Sequence, residues 1–388
     1  MSQVMAQVSA LPETVRARSR VLFVNENLGG HATMHLALRR ALEAHPEVNA
    51  EFLDVPWPGR VRRVVGASVP GLARLDLDLQ ALRYQMAQSV HLRSLLRNRL
   101  DHVDVVHAYS QHAVLMCDGV LRNRPSVVST DCTTIQNAHH LPYRTPTRFT
   151  ARASRIAQRL ERRVFESATL VVAQSEWAAE SLRATCGVTD DRLRVIPFGI
   201  VPFELPRRRR PTGRPQVTFI GASMSRKGGW RLLRAYRKHL RGVCVLNLVT
   251  HDRVVPEPGV RVFHDFVPGD ARLPGLLADT AVFAFPSEID TFGYAPLEAM
   301  AAAVPVVATR CNALPEIIED GVTGLFVDPD DDALAAAISA LLADEERASG
   351  MGAAGRQRVL ERFDARVTTL RLLDVLEEAR RRFAGGAP

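Results

Sequence analysis

Short apolar runs alternate with stretches of helical periodicity along the chain, and this pattern predicts strands separated by helices. The predicted strands of the first half are Val21–Val24, Glu51–Val55, Val103–Ala108, Ser126–Ser129, Thr169–Gln174 and Arg194–Pro197. Those of the second half are Val217–Ile220, Val243–Val249, Val260–Phe263, Ala281–Phe285, Val304–Ala308 and Gly324–Val327. Because this alternation is typical of parallel strands covered by helices, we expect an α/β protein with one parallel sheet in each half.

A break in the pattern separates the two halves. Residues 204–215 combine prolines, a glycine and the run Arg207–Arg210 without apolar periodicity, as linkers do. The predicted parts of the chain are a flexible leader over 1–19, domains over 20–203 and 216–363, and a terminal helix within 364–388. Ligands of open α/β sheets bind beyond the carboxyl ends of the strands, so the loops there are the candidate site.

The composition is that of a folded protein, with 46% hydrophobic and 24% charged residues. The five cysteines form no CxxC pair, which argues against a zinc module or a disulfide framework and favours a reducing compartment. Residues 1–20 hold no apolar segment of signal-peptide length, and no run is long enough to span a bilayer, so we expect a cytoplasmic protein. The net charge of +8, denser in the first half, suits phosphate-bearing partners or an anionic membrane, although solvated surface arginines explain it equally well.

The loop and helix after Phe285 carry the most informative chemistry. The loop Asp290–Gly293 leads into a predicted helix near Ala295–Ala302, whose amino end can hold a phosphate. Asp290 and Glu298 are eight positions apart, and carboxylates of this kind accept the paired hydroxyls of a ribose or a sugar. The spacing alone, however, favours a solvated acidic surface.

Two glycine-bearing turns are further candidates. Gly221 follows a predicted strand and leads to Arg226 and Lys227, which can clamp a diphosphate; an exposed cationic helix start is the alternative. The Gly29-Gly30 loop lets a ligand approach the backbone closely. It lacks the GxGxxG spacing of a dinucleotide site, and a plain turn is nearly as good an interpretation.

Polar residues elsewhere give weaker signals. His107 lies at one predicted strand end, where a lone histidine is more often structural, and Asp131 follows another strand and can orient a ligand hydroxyl. Asp328–Asp332 contains a DxD pattern that helix capping explains, and His139-His140 lacks companion ligands, so we expect no metal. No nucleic-acid motif accompanies Arg207–Arg210, and we expect no nucleic-acid partner.

The string that begins at Asp290 resembles the donor-binding signature of glycosyltransferase family four. The matching residues are Asp290, Phe292-Gly293, Glu298-Ala299-Met300-Ala301, Pro305–Thr309, Leu314-Pro315-Glu316, Asp320-Gly321 and Thr323-Gly324. The resemblance implies the GT-B fold, in which two Rossmann-like domains face each other across a deep cleft. It also implies an amino-terminal acceptor domain, a carboxy-terminal donor domain, and a last helix, over about 364–383, that crosses back to the first domain.

The resemblance further implies a retaining hexosyltransferase that needs no cofactor or metal. Such an enzyme moves a sugar from a nucleotide-diphosphate sugar to a hydroxyl of a glycan, a lipid-linked acceptor or a small molecule. The implied catalytic residues are Arg226, Lys227, Asp290 and Glu298. The implied donor-binding residues are Gly29, Gly30, Gly221, Glu288, Phe292, Gly293, Tyr294 and Ala295, with His107 and Asp131 on the acceptor or sugar side. In this pattern Glu298 would bind the ribose and Asp290 the sugar.

Three features separate this chain from the family's usual pattern or leave its role open. Asp290 stands where the family has Glu, with Glu288 nearby, and Ala222 stands at an arginine position that Arg226 would replace. A catalytically inactive nucleotide-sugar-binding scaffold is therefore the alternative function. Segment 57–100 mixes apolar and basic residues, which predicts a peripheral contact with an anionic membrane on its inner face; an ordinary packed helical excursion is the alternative.

Overall fold

The computed structural model describes residues 19–26, 30–55, 64–137, 147–202, 204 and 213–385. Most of the predicted leader and linker, together with Gly29 and the His139-His140 pair, lies outside the described residues.

Within the described part of the chain, twelve strands form two sheets. Their bounds are β1 Arg20–Asn25, β2 Asn49–Asp54, β3 Val105–Ala108, β4 Ser126–Thr130, β5 Leu170–Ala173, β6 Leu193–Val195, β7 Gln216–Ile220, β8 Val245–Val249, β9 Val260–Phe263, β10 Thr280–Phe285, β11 Val306–Thr309 and β12 Gly324–Val327. The sheet orders are β2-β1-β3-β4-β5-β6 and β12-β11-β10-β7-β8-β9, and all paired strands are parallel. The predicted α/β class, with a parallel sheet in each half, is confirmed.

Helices connect the strands, as parallel pairing requires. The α-helices are Gly30–Leu42, Gln80–Leu96, Asp118–Arg122, Thr134–Asn137, Thr150–Ala153, Arg155–Ser167, Glu176–Ser181, Gly229–Ala235, Leu273–Ala278, Tyr294–Ala301, Leu314–Ile317, Asp331–Ala343, Glu345–Arg362 and Ala365–Gly385. Shorter 3₁₀ segments are Leu72–Leu75, Leu100–His102 and Gln111–Val114, and π segments are Leu182–Cys186 and Tyr236–Leu240.

Local capping explains where several helices begin and end. Ser175 caps the helix Glu176–Ser181, since its side chain accepts a hydrogen bond from the Ala178 amide. This helix continues as the π segment Leu182–Cys186, and Gly187, which has a φ of 70°, ends that segment. Asp330 caps the helix that follows it by accepting from two backbone amides, which agrees with the capping interpretation of the DxD pattern.

The described chain divides into two compact units. One comprises the residues up to Phe198 together with those from Arg366 onward, and the other comprises Gly199–Ala365. Within the first unit, Arg194 of β6 pairs with Glu378 of the last helix at 2.5 Å. Each unit has its own apolar core between the sheet and its helices, built around residues such as Leu22 in the first and Phe219 in the second.

Each sheet contains a point at which the strand order reverses. In the first sheet β1 lies between β2 and β3, and in the second sheet β7 lies between β8 and β10. The chain runs from β1 to β2 on one side, whereas β3 and the strands after it lie on the other side of β1. In the same way β8 and β9 lie on one side of β7, and β10 and the strands after it lie on the other. At such a reversal the loops that follow the two adjacent strands diverge and leave a crevice beyond the strand ends. No helix among the described residues is both long enough and apolar enough to cross a bilayer.

Candidate functional site

The loops that follow β7 and β10 pack against each other backbone to backbone. A Cβ atom at Gly221 would lie 2.7 Å from the Phe219 ring and 2.9 Å from the Lys227 Cβ. Gly228 has a φ of +74°, and a Cβ there would lie 1.8 Å from the Pro286 carbonyl oxygen. Glycine at 228 therefore lets the turn after β7 approach the end of β10 closely, and glycine at 221 leaves room for Phe219 and Lys227 within that turn.

This approach brings Lys227 and Asp290 together, 63 residues apart in the chain. The Lys227 Nζ donates to Asp290 Oδ2 at 2.5 Å, and the two side chains are only 11% and 12% exposed. The Lys227 Nζ also lies 5.5 Å from the centroid of the Phe285 ring. Burial lowers the pKa of Lys227, and the nearby Arg226 charge adds to this, while the Asp290 carboxylate opposes it.

The neighbouring charged groups are more exposed. Arg226 lies on the surface of the turn, beside Lys227. Glu288 is 59% exposed and pairs with Arg231, a residue for which the sequence analysis gave no role. Arg231 also donates to the Pro286 carbonyl at 3.2 Å, so it links the helix after Gly228 to the β10 loop.

The loop then turns into the helix Tyr294–Ala301. Gly293 precedes it with a φ of +107°, and a Cβ there would lie 2.4 Å from Leu314 Cδ2. Phe292 is buried, and the Tyr294 hydroxyl donates to the Gly199 carbonyl at 3.3 Å. Ala295 is partly exposed in the first turn of the helix. The start of this helix is thus fixed by the packing of Gly293 against Leu314, while the small, partly exposed side chain of Ala295 leaves its first turn accessible.

Glu298 is the third carboxyl group of this loop and helix. It is partly buried, and no hydrogen bond or ion pair of the described residues reaches it. Burial raises its pKa to about 8. At neutral pH the group is therefore mostly protonated, so it offers one O–H donor beside an acceptor oxygen.

The first unit holds a different cluster, at the carboxyl ends of β1 and β4. His31 Nδ1 lies 2.9 Å from Glu26 Oε1, and its Nε2 lies 3.8 Å from Asp131 Oδ2. Burial alone would lower the pKa of His31, but the carboxylates of Asp131 and Glu26 raise it to about 10. His31 is consequently an imidazolium between two acids, and it holds Asp131 at the sheet edge.

Sequence reasoning gave His31 no role, although it quoted Asp131 as a candidate. The histidine directly follows the Gly29-Gly30 loop and begins the same helix as Gly30, close to the end of β1. Its partner Asp131 follows β4, about a hundred residues further along the chain, so no local pattern of the sequence joins the two residues.

His107 lies in the predicted strand, but its side chain is not exposed to a ligand. It is fully buried within β3, where Nε2 lies 2.7 Å from Ser129 Oγ and its ring packs edge-on against Tyr109. Burial lowers its pKa to about 3, so it is neutral. The expected contact with an acceptor or sugar is therefore wrong for this position as the structure has it, because the side chain faces the helix-covered core.

The described residues thus divide the sequence candidates into two groups. Gly221, Arg226, Lys227, Glu288, Asp290, Phe292, Gly293, Tyr294, Ala295 and Glu298 follow β7 and β10 in the second unit, and Gly30 and Asp131 follow β1 and β4 in the first. Among the described residues no three His, Cys, Asp or Glu side chains converge as metal ligands would. Independence from metal and cofactor stays a prediction.

Two family models match the chain. The model described as Glycosyltransferase Family 4 matches residues 28–202, and the model described as Glycosyl transferases group 1 matches residues 214–344. The two matches do not overlap, and together they cover all the strands of both sheets except β1.

Curated relatives match about half of the chain. A GDP-mannose-dependent alpha-(1-6)-phosphatidylinositol monomannoside mannosyltransferase of Mycolicibacterium smegmatis is 36% identical over 217 residues, 50% of this chain and 55% of that protein. An alpha-maltose-1-phosphate synthase of the same species is 29% identical over 239 residues, 53% of this chain and 62% of that protein. The matched regions therefore span little more than half the length of these relatives.

Solved structures match over nearly the whole chain. Sucrose-phosphate synthase from Thermosynechococcus elongatus has a TM-score of 0.72 at 19% identity, covering 95% of this chain and 100% of that one. Anabaena HepE in complex with UDP and glucose has a TM-score of 0.64 at 17% identity, covering 92% and 99%. These likenesses establish the fold, which is GT-B as predicted.

Proposed function

Because the chain belongs to glycosyltransferase family 4, within the group 1 glycosyl transferases, we propose that it transfers a sugar from a nucleotide-diphosphate sugar to a hydroxyl acceptor with retention of configuration. The observation that carries this proposal is the buried Lys227 beside the exposed Arg226 at the reversal point of the second sheet. Two cations at a strand end suit a diphosphate better than they suit a neutral ligand.

The chemistry follows from the charges of this turn. When the glycosidic bond breaks, negative charge develops on the departing diphosphate, and the positively charged Arg226 and Lys227 would stabilise it. The acceptor hydroxyl would attack from the face that the diphosphate leaves, through an oxocarbenium-like transition state. No carboxylate nucleophile is needed on this route, unlike in retaining hydrolases.

Glu298 and Asp131 would contact the two substrates on their hydroxyls. The largely protonated Glu298 can donate to one ribose hydroxyl and accept from its neighbour. Asp131, held by the His31 imidazolium, would accept a hydrogen bond from the acceptor hydroxyl. Relatives named for GDP-mannose and structural neighbours with UDP or UDP-glucose make these two donor classes the first to test.

Thermal shift with nucleotides tests the donor site directly. UDP, GDP and their common sugar derivatives, in the presence of EDTA, should raise the melting temperature for one base, because a ligand that binds the native state stabilises it. Lys227→Ala should abolish the shift, whereas Lys238→Ala, the chain's other lysine on an exposed surface, should keep it. A shift that depended on added metal would overturn the expectation that none is required.

Transfer itself needs an acceptor screen and product analysis. NMR of the anomeric proton in the product should show the donor's own configuration if the enzyme retains it. Inversion would refute the mechanism proposed above. Nucleotide binding without turnover on any glycan, lipid or small-molecule acceptor would instead favour the scaffold alternative.

We also propose that the first unit docks on an anionic membrane through residues 64–78. Its acidic side chains point inward: Asp76 is 2% exposed and accepts from the Thr147 hydroxyl at 2.5 Å. Its apolar side chains point outward, with Leu72 46% and Leu77 55% exposed. Soluble surfaces rarely show this inverted arrangement, and it is typical of interaction sites.

A basic helix begins close to this apolar segment. Asp76 also accepts from the hydroxyl of Thr150, five residues before the helix Arg155–Ser167 starts. That helix exposes Arg155, Arg159 and Arg163 at helical spacing on one side. Apolar residues next to arginines that pair with no acid among the described residues suit a bilayer with anionic headgroups.

Vesicle sedimentation tests the membrane contact. The protein should bind phosphatidylcholine vesicles more tightly when phosphatidylglycerol is added, and the double variant Leu72→Gln, Leu77→Gln should bind about tenfold more weakly. The matched control, Val255→Gln with Val267→Gln, changes two exposed apolar residues of the second unit and should leave binding unchanged. Equal sedimentation of all three proteins would refute the contact.

A further inference from the structure

The three carboxyl groups of the candidate donor site differ in what already occupies them. Glu288 is mostly exposed and pairs with Arg231. Glu298 has no partner among the described residues. Asp290 is buried, and both of its carboxyl oxygens are engaged within the protein. These three acids therefore cannot have interchangeable roles toward a ligand.

The short side chain of Asp290 explains its engagement. Oδ1 accepts from the Phe292 amide at 3.3 Å, two residues along its own loop, and Oδ2 accepts from Lys227 Nζ at 2.5 Å. An aspartate readily accepts from the amide two residues on, as in Asx turns. A carboxylate held on one side by its own backbone and on the other by a lysine, and only 12% exposed, has little surface left for a sugar hydroxyl.

Lys227, in contrast, has spare hydrogen-bonding capacity. An ammonium group carries three N–H donors, and Asp290 takes one of them. The other charged or titratable groups around Lys227 are Arg226 on its own turn and Cys311 beyond β11. Among the charged groups around Lys227, Asp290 is the one that places a negative charge in direct contact with the ammonium group. Without it, a nearly buried ammonium beside an arginine would be uncompensated.

We propose that Asp290 is a positioning residue, which keeps the Lys227 ammonium charged and directed at the donor's diphosphate, and that it does not contact the donor's sugar. This inference rests on the proposed transfer from a nucleotide-diphosphate sugar. It assigns the one departure from the family's acid pattern a role of its own: the shorter acid serves the lysine. The contacts to donor hydroxyls are left to Glu298.

The two possible roles predict different behaviour of Asp290→Asn. If Asp290 holds Lys227, the asparagine side chain removes the negative charge beside the ammonium group. Burial and the Arg226 charge then lower the pKa of Lys227 further, because no carboxylate opposes them. Affinity for the nucleoside diphosphate and for its sugar derivative then falls by the same factor. If Asp290 contacts the sugar, affinity falls for the sugar derivative alone.

The first experiment requires no nucleotide. The chain has only two lysines, Lys227 and Lys238, so competitive amine acetylation across pH, read by mass spectrometry, reports each one separately. Asp290→Asn should move the labelling profile of Lys227 about one pH unit lower. Asp290→Glu should restore it. An unchanged Lys227 profile in Asp290→Asn would overturn the inference.

The chain supplies a matched control for this labelling. Lys238 pairs with Asp332 at 2.6 Å on the exposed surface of the same unit. Asp332→Asn removes the same kind of lysine–aspartate contact, and it should leave the labelling of Lys227 unchanged. A shift of Lys227 in that variant would show that general charge, and not the Asp290 contact, sets its profile.

The second experiment compares affinities by titration calorimetry. The probes are UDP with UDP-glucose and GDP with GDP-mannose, and the pair that binds the native protein is used. Asp290→Asn should weaken both members of that pair by the same factor, about tenfold. Weakening of the sugar nucleotide alone would overturn the inference. Failure of all four probes to bind the native protein would refute the proposed function, and the labelling result would still decide the contact to Lys227.

Discussion

Each of the two units buries a basic side chain beside carboxylates, and the pKa of that side chain shifts in opposite directions in the two units. In the second unit Lys227 meets one carboxylate, and burial prevails, so that its pKa is lowered. In the first unit His31 lies between two carboxylates, and the charges prevail over burial, so that its pKa is raised to about 10. The number of opposite charges around a buried cation, and the presence of Arg226 beside Lys227, account for the difference.

This contrast bears on what each site can do. A lysine with a lowered pKa and spare donors can respond to an incoming anion such as a diphosphate. A histidine that two acids already surround adds no net positive charge to its surroundings, and it serves to hold Asp131 in place. The cation near the second sheet is thus available to a ligand, whereas the cation near the first sheet is part of the framework.

The largest expected effect concerns the close backbone contact between the β7 and β10 loops in the second unit. Gly228→Ala combines a left-handed φ of +74° with a Cβ 1.8 Å from the Pro286 carbonyl oxygen. We expect the free energy of unfolding of the second unit to fall by about 2–5 kcal/mol. Urea unfolding followed by hydrogen-exchange mass spectrometry reports each unit separately.

A glycine of the first unit serves as a control that separates the cost of backbone strain from the cost of a steric clash of the new Cβ atom. Gly187 has a similar φ of +70°, but a Cβ there would have no neighbour within 4 Å. Gly187→Ala should therefore lower the stability of the first unit by only about 1–2 kcal/mol. Equal losses in the two variants would contradict the close packing of the β7 and β10 loops.

The next effect concerns the cluster in the first unit. His31→Gln leaves Glu26 and Asp131 without their cation, so the free energy of unfolding should fall by about 1–3 kcal/mol near pH 6. The pKa of His31 is about 10 in the folded protein, against an ordinary value of 6.5. Its contribution is therefore complete below pH 6.5 and is lost as the pH rises toward 10.

The difference between native protein and His31→Gln should accordingly shrink from pH 6 to pH 10, as urea unfolding at several pH values can measure. His45→Gln is the control, because His45 has a single carboxylate partner, Glu47 at 3.0 Å, in the same unit. It should cost less than His31→Gln at pH 6. A difference that grew with pH would contradict the charged state assigned to His31.

The two sites also differ in how far the sequence predicted them. The strands could be predicted because buried parallel strands form continuous apolar runs. The candidate donor residues around Asp290 stand out in the sequence because they follow one another within 284–324, and their role stays a prediction. The His31 cluster could not, since its members come from loops about a hundred residues apart and only sheet pairing joins them. His107 was misassigned because both faces of a parallel sheet are covered, so strand position does not tell which way a side chain points.

The smallest expected effect concerns Glu298, whose carboxyl group has no charged partner among the described residues. Its pKa is about 8 in the folded protein, against an ordinary value of 4.5, so the folded protein binds more protons between these pH values. Stability therefore falls as the pH rises from 4.5 to 8. Glu298→Gln, which keeps the shape but cannot ionise, should lack this fall and be more stable than the native protein at pH 8. Because the carboxyl is partly exposed and solvent screens it, we expect a gain of about 1 kcal/mol, smaller than the full pKa shift would give. The gain should disappear near pH 4.5, where the native carboxyl is protonated as well.

The same substitution should weaken nucleotide binding. A variant that is more stable than the native protein and binds nucleotide less well would identify Glu298 as a group that serves the ligand rather than the fold. A variant that gained no stability at pH 8 would indicate that solvent reaches the carboxyl group of Glu298. The difference between the two units would then rest on their buried cations, Lys227 and His31.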